Sequence, residues 1–273
     1  MKKNPQDGFT LVEFSIVMII IGLVLGGILV GNDLIKASKL RSVVREVEEY
    51  KTAINAFKLK YNDLPGNIEN AFDYWPDTQA CGVAGSAADT EWHYCNGTGD
   101  GQINRYQEAV KVWRHLSLAE LIEYTFRRDI GNGRPYVASD CGVGSHGDCP
   151  SQTIPSSTIE KAGYEFSHTT LIGSPDDSLF DRTGHMLVLG KDSLGGSSNN
   201  NGPSLNVQDA MSLDLKADDG TPSGGSIIVT ETHSVPGDCT TNGAWWNADV
   251  GLSSDWISTD KTESCVVFFM MGF

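Results

Sequence analysis

The sequence predicts an α+β protein: a long N-terminal helix, transmembrane in its first half and amphipathic in its second, packed on a loop-rich globular head with an antiparallel β-sheet and disulfide bonds. Three observations predict this class. An uncharged apolar run follows Glu13 as far as Gly31, hydrophobic residues then recur at helical spacing to Tyr61, and short segments of β-type composition come after them. The 30 glycines indicate a head with many turns.

The apolar run is long enough to span a membrane. Residues 9–31 would reach about 34 Å as a helix, at roughly 1.5 Å per residue. A secretory signal peptide has a shorter apolar core that ends in a cleavage site of small residues, so this run is better interpreted as an anchor. Lys2 and Lys3 precede it, which predicts a cytoplasmic N-terminus and a head outside.

Glu13 is the chemically unusual residue of this span. A lone carboxylate in hydrocarbon is costly, so the sequence predicts that a cation is brought beside it. Four glycines further along the span form two pairs spaced by four residues, a pattern that lets helix backbones approach closely; these helix-packing candidates are Gly22, Gly26, Gly27 and Gly31. The alternative is that glycine is simply frequent in membrane helices.

The segment Gly8-Phe9-Thr10-Leu11-Val12-Glu13, preceded by Lys2-Lys3, resembles the prepilin signature of type IV pilins and type II secretion pseudopilins. The resemblance implies that prepilin peptidase cleaves after Gly8 and that Phe9 becomes N-methylated. It also implies that Glu13 pairs with the N-terminal amine of an adjacent subunit during assembly. Typical major pilins carry a helix-breaking proline near the end of the span, and this chain has none there, which favours a pseudopilin or an atypical pilin.

The resemblance also implies an organisation and a location. The expected parts are a prepilin leader (1–8), a transmembrane assembly helix (9–31), an amphipathic stalk helix (32–62) and a periplasmic or extracellular head (63–273). The chain would sit once across the bacterial inner membrane and then enter a filament in the periplasm or at the cell surface. The implied partners are copies of itself or other pilins, prepilin peptidase, the inner-membrane assembly machinery and, before assembly, membrane lipid.

The stalk should have one buried stripe and one solvated face. The stripe comprises Leu40, Val43, Val44, Val47, Tyr50, Ile54, Phe57 and Tyr61. The basic residues that cluster just after the span are expected on the solvated side, where Arg45 can reach Glu49 one turn away; they are Lys36, Lys39, Arg41, Arg45 and Lys51. The segment 62–66, which contains Pro65 and Gly66, should end the helix.

The head is predicted to contain further helices at about 108–128 and, with Ser204 as N-cap, at 204–217. Four short segments are strand candidates: Tyr164–Phe166, His185–Leu189, Ser226–Thr230 and Val266–Met271. Six cysteines without a Cys-x-x-Cys pair favour disulfides in an oxidising compartment. Pairing of neighbours is the simplest connectivity: Cys81 with Cys95, Cys141 with Cys149, and Cys239 with Cys265.

The loop at 96–103 partly resembles an EF-hand calcium loop. Its oxygen-bearing residues Asn96, Thr98 and Asp100 stand at positions one, three and five, with Gly101 at six. The match is incomplete, because the acidic residue expected at position twelve comes one place late, at Glu108. Calcium at this loop is one hypothesis and a Gly-rich turn is the other; Asp218 and Asp219 form a second candidate. No cofactor is otherwise required.

The composition and the motifs of the chain argue against two classes of function, nucleic-acid binding and catalysis. A net charge of −15 and a pI of 4.7 argue against a nucleic-acid partner. The sequence contains no Gly-x-Ser-x-Gly nucleophile elbow, no His-Glu-x-x-His zinc-protease motif and no phosphate-binding P-loop, so catalysis is not expected. The histidines His93, His115 and His185 are interpreted as surface or core residues. The expected function is a structural subunit of a type IV pilus-like or type II secretion filament. The alternative is a minor tip pilin whose head binds a surface, carbohydrate or secreted substrate through loop tryptophans: Trp75, Trp92, Trp245, Trp246 and Trp256.

Overall fold

The computed structural model describes residues 10–76, 95–103, 108–123, 154–168, 184–191, 202–222, 224–231, 239–240, 256 and 263–272. Its elements are α1 (Leu11–Tyr61), α2 (Ala71–Tyr74), α3 (Ala109–Leu118), β1 (Ala162–His168), β2 (His185–Lys191), α4 (Val207–Ala217), β3 (Ile227–Glu231) and β4 (Cys265–Met270). Internal contacts divide the chain into two compact units, residues 1–41 and 42–273. The long N-terminal helix expected from the sequence is confirmed, and α2 is an addition to the predicted elements.

The four strands form one antiparallel sheet in the order β1-β2-β4-β3, which confirms the predicted sheet and all four strand candidates. The two central strands are buried on both faces, so they consist of nearly continuous apolar residues. Their side chains and those of β3 form a core cluster on one face of the sheet: Met186, Val188, Ile228, Val266 and Phe268. Helix α4 contacts β3 and β4, whereas α3 contacts β1.

The second half of α1 belongs to the core of the head unit. Val43, Val47, Ile54 and Phe57 are buried, as the predicted stripe requires. The ring of Tyr50 lies 4.9 Å from that of Trp113 in α3 and 5.2 Å from that of Tyr164 in β1, both edge to face. Arg45 and Glu49 lie on the exposed side of the helix, 3.9 Å apart. These contacts join α1, α3 and β1 into one core.

Glu46 of α1 provides a polar connection between the same helix and the sheet. Its carboxylate accepts hydrogen bonds from the Tyr164 hydroxyl at 2.7 Å, the Thr158 hydroxyl at 2.7 Å and the Ser157 hydroxyl at 3.2 Å. Burial, followed by the neighbouring Glu46 charge, raises the pKa of Tyr164 well above its ordinary value, so this phenol remains a donor. Glu46 and Tyr164 are 118 residues apart in the sequence, so the local sequence pattern could not predict this contact.

Replacing Glu46 with Ala should destabilise the head by about 2 kcal/mol, because hydrogen bonds to a charged group are worth about 1.5–3 kcal/mol and the Tyr164 hydroxyl would keep only its longer contact, 3.3 Å, with the Ser157 hydroxyl. Chemical denaturation of the full chain in detergent measures the effect. Glu48→Ala, on the exposed side of the same helix, should change the free energy of unfolding by less than about 0.5 kcal/mol. Equal effects of the two variants would contradict the assigned role of Glu46.

Helix α3 ends ten residues earlier than the sequence prediction of 108–128. Its C-terminus is a Schellman motif in which the N–H of Leu121 donates to the carbonyl of Leu116 and the N–H of Glu120 donates to that of Ser117. Glu120 has φ +60°, the left-handed conformation in which glycine is usually found. The prediction was wrong because an acidic residue at this position carries no stop signal; residues 124–128 lie outside the described part of the chain.

Helix α4 also begins later than predicted. Its N-cap is Asn206, whose side-chain oxygen accepts from the N–H of Asp209 at 2.9 Å. The predicted cap, Ser204, instead donates its hydroxyl to the carbonyl of Leu189 at 3.0 Å, while its own N–H donates to the carbonyl of Cys265. Both residue types favour N-caps, so the sequence alone did not discriminate between them.

A disulfide joins Cys239 to Cys265 at the start of β4, with the Cα atoms 5.3 Å apart. This is the pairing of neighbours that the sequence predicts for these two residues. Cys95 is disulfide-bonded as well. The other cysteines of the predicted pairs, Cys81, Cys141 and Cys149, lie outside the described residues.

Candidate assembly site

The first half of α1 exposes an apolar surface on all sides. The exposed fraction of its large hydrophobic side chains between Leu11 and Ile35 ranges from 47% at Ile21 to 88% at Leu11. By length and composition the helix can cross a membrane. A helix that is apolar all round does not remain in water, so this surface requires lipid or other apolar helices around it.

The N-terminus of α1 is closed by a capping box. The Glu13 carboxylate accepts hydrogen bonds from the backbone N–H and the hydroxyl of Thr10, both at 2.8 Å, and the Thr10 hydroxyl accepts from the N–H of Glu13 at 3.3 Å. Sequence reasoning missed this local arrangement, although the spacing Thr-x-x-Glu is its signature. The carboxylate is thereby held at the helix N-terminus, four residues after Phe9, the predicted methylation site.

These hydrogen bonds hold the Glu13 carboxylate without cancelling its charge. A carboxylate that accepts two hydrogen bonds still carries a full negative charge, so a cation remains the most effective way to stabilise it in lipid. The capping box therefore complements the predicted pairing with a neighbouring amine. Gly8 and Phe9, the predicted processing residues, lie outside the described residues.

The glycines of the span have no role in packing within the described chain. A Cβ atom added at Gly22, Gly26, Gly27 or Gly31 would meet nothing within 4 Å. Each glycine in a helix interior costs about 1 kcal/mol relative to alanine. The close packing of these glycines against other helices therefore stays a prediction from their spacing.

Comparison with known proteins gives a match for the N-terminal segment of the chain. Residues 3–29 match the family model described as the prokaryotic N-terminal methylation motif. The chain carries the prepilin-type motif of type IV pilins and pseudopilins. The prepilin-type motif supports a pilin- or pseudopilin-type subunit in general, with processing by prepilin peptidase, assembly with other pilin subunits and membrane anchoring. No curated protein and no solved structure matches the chain.

The prepilin-type motif includes most of the assembly candidates. Its matched range contains Gly8, Phe9 and Glu13 together with three of the four glycines, whereas Gly31 lies two residues beyond it. The motif ends well before the head, so the head must be interpreted from its own geometry.

In the loop at 96–103, which partly resembles an EF-hand, the candidate calcium ligands form hydrogen bonds with other groups of the protein. The Asn96 side-chain oxygen accepts from the N–H of Phe72 at 2.9 Å, and the Asn96 carbonyl accepts from the Lys111 ammonium at 2.6 Å. The N–H and hydroxyl of Thr98 donate to Glu108, the acidic residue that the EF-hand comparison placed one position late. The Asp100 carboxylate accepts from the N–H of Gln102 at 2.8 Å, a local turn contact. A cation at this loop would compete with the Lys111 ammonium.

His115 is a core residue that joins three segments. Its Nδ1 accepts from the N–H of Gly66 at 2.8 Å, so Nε2 carries the proton and donates to the carbonyl of Cys95 at 2.7 Å. Gly66 has φ +88°, and a Cβ there would lie 2.8 Å from the carbonyl oxygen of Glu108. Burial lowers the pKa of His115 to about 3, against the raising effect of the Cys95 carbonyl. This residue is therefore neutral in the folded head.

The other histidines and the tryptophans are buried, half-buried or outside the described residues. His185 is buried and stacks on the ring of Phe166 at 5.6 Å. Trp75 lies 5.3 Å from the ring of Tyr61 and 5.4 Å from that of His115, and the Trp256 indole N–H donates to the carbonyl of Gly220 at 2.9 Å. Four of the residues named from sequence, His93, Trp92, Trp245 and Trp246, lie outside the described part of the chain.

Proposed function

We propose that the chain is a structural subunit of a type IV pilus-like or type II secretion filament. Prepilin peptidase removes residues 1–8, Phe9 is N-methylated, and the subunit polymerises through residues 9–31 of its N-terminal helix. The observation that carries this proposal is the prepilin-type motif continued by an exposed, all-round apolar helix. Residues 32–62 form the stalk, residues 63–273 form the head, and the role is structural rather than catalytic.

Before assembly, the subunit spans the bacterial inner membrane once, with its N-terminus in the cytoplasm and its head outside. Lys2 and Lys3 support this orientation, and so does the Cys239–Cys265 disulfide, because disulfides persist in oxidising compartments. Membrane lipid surrounds the helix until neighbouring subunits replace it. The inner-membrane assembly machinery carries out that exchange.

Processing is tested by mass spectrometry of the protein purified from a host that contains prepilin peptidase. The expected N-terminus is a singly methylated Phe9. A control host without the peptidase should yield the chain with residues 1–8 intact. Retention of those residues in the presence of the peptidase would contradict the proposal.

The second candidate is a minor subunit at or near a filament tip, whose head binds a surface, carbohydrate or secreted substrate. It is favoured by the size of the head, because residues 63–273 make up most of the chain and a uniform lattice would have to accommodate every copy. Quantification of subunits in sheared filaments separates the two candidates. A major subunit dominates the preparation, whereas a tip subunit is present in trace amounts.

A further inference from the structure

Three carboxylates converge where α4 ends and the chain turns toward β3. Oxygen atoms of Asp214, Asp218 and Asp219 all lie within 4.8 Å of one another. Among the described residues, none of the three forms an ion pair with a lysine or arginine. The C-terminal end of a helix adds partial negative charge to the same place. The arrangement is strongly repulsive when all three carboxylates are ionised and no cation is present.

Asp214 gives this cluster its significance. Asp214 is fully buried, and neither of its carboxylate oxygens has a hydrogen-bond partner in the described part of the chain. Burial first, and then the charges of Asp219 and Asp218, raise the pKa of Asp214 to about 7, against the lowering effect of the Gly220 backbone N–H. A buried acid without a donor, beside two further acids, is costly in the absence of a ligand.

The turn holds the other two carboxylates in position. Asp218 accepts hydrogen bonds from the N–H groups of Ser226 and Ile227, the latter at 2.7 Å, and Asp219 accepts from the N–H of Thr221 at 2.8 Å. A Cβ at Gly224 would lie 2.2 Å from an Asp219 oxygen, and one at Gly225 would lie 1.7 Å from an Asp218 oxygen. The glycines therefore provide the space that the carboxylates occupy.

We propose that Asp214, Asp218 and Asp219 bind one calcium ion. The donor set contains only carboxylate oxygens, which suits a hard cation, whereas zinc prefers nitrogen and sulfur ligands. Calcium accepts irregular arrangements of six to eight oxygens, and water or backbone carbonyls complete its coordination, whereas magnesium requires near-ideal octahedral geometry. This site is distinct from the loop at 96–103 and does not depend on the proposed filament function.

Calcium bound here would stabilise the edge of the sheet. The turn is connected to β3 by the N–H of Val229, which donates to the carbonyl of Pro222 at 2.7 Å. It is connected to β4 by the N–H of Met270, which donates to the carbonyl of Ser226 at 2.8 Å. Neutralising the three carboxylates removes the repulsion at the point where these contacts begin.

The test uses the full chain in detergent micelles, freed of divalent cations with a chelator and then titrated with calcium chloride. Calorimetry should detect one site in addition to any binding by detergent alone. Calcium at a hundredfold excess over its Kd should raise the Tm by roughly 5–10 °C. Magnesium chloride at the same concentration should give a smaller rise. Absence of heat and of a Tm shift with calcium would overturn the proposal.

Matched variants locate the ion. In the chelator, Asp214→Asn should have a Tm at least equal to that of the natural chain, because its neutral amide can donate to the neighbouring carboxylates, and it should lose the calcium response. Asp209→Asn, at the other end of the same helix, should retain the response. Asp100→Asn, in the loop at 96–103, should retain it too. A full response in Asp214→Asn, or its loss in Asp100→Asn, would overturn the assignment.

Discussion

Replacing Glu13 with Gln should leave the subunit in the membrane and reduce its incorporation into filaments by roughly tenfold or more. Glutamine preserves the capping box with Thr10, since Glu and Gln both serve at this position, but it removes the charge. A neighbouring N-terminal amine would then be desolvated without its counterion. Immunoblots of sheared filaments and of the membrane fraction measure the ratio.

Thr10→Ala is the matched control for this experiment. It removes the hydroxyl of the capping box and keeps the carboxylate, so incorporation should fall by less than about threefold. If Glu13→Gln assembled normally, charge pairing would not drive assembly. If the two variants were equally impaired, the helix cap rather than the charge would be the important feature.

Acidification should destabilise the head through His115. Its folded pKa of about 3 lies below the ordinary value of 6.5, so only the unfolded chain takes up a proton as the pH falls through 6.5. The stability contributed by the neutral ring is complete above pH 6.5 and decreases by about 1.4 kcal/mol per pH unit toward pH 3. Urea denaturation of the full chain in detergent, between pH 4 and pH 7.5, measures this slope.

His115→Gln isolates the contribution of this ring. Glutamine offers one acceptor and one donor but does not titrate, so the slope below pH 6.5 should fall by about 1.4 kcal/mol per pH unit relative to the natural chain, whatever the variant's absolute stability. An unchanged slope in the variant would show that other groups cause the acid sensitivity.

Local pattern was sufficient for helix α1 and for the four described strands, whereas the short helix α2 was not predicted. Helix α1 has a periodic apolar stripe and no proline, and the strands are short apolar segments between turn residues, so all of them were predictable. The residues at which α3 ends and α4 begins were less predictable. Glu120 adopts a left-handed conformation because the Schellman hydrogen bonds stabilise it there, and residue type does not indicate this.

Some features of the candidate sites are visible in the local sequence, and others depend on tertiary contacts. The capping box of Glu13 joins residues three apart, so its Thr-x-x-Glu spacing is visible in the sequence, although the sequence prediction did not include it. The four-residue spacing of Asp214 and Asp218 is also visible, but the full burial of Asp214 and its lack of donors depend on tertiary packing. The bonds of Glu46 to segment 157–164 and of His115 to Gly66 and Cys95 join residues distant in sequence, which no periodicity reports.

The strand order has a consequence for biogenesis. Strand β4 follows the other three strands in the chain, yet it lies between β2 and β3. Until β4 has been synthesised, β2 and β3 each present an unpaired edge, which is prone to aggregation. The sheet therefore completes its hydrophobic interior only when its last strand is in place, and premature termination before β4 would remove the middle of the sheet rather than its margin.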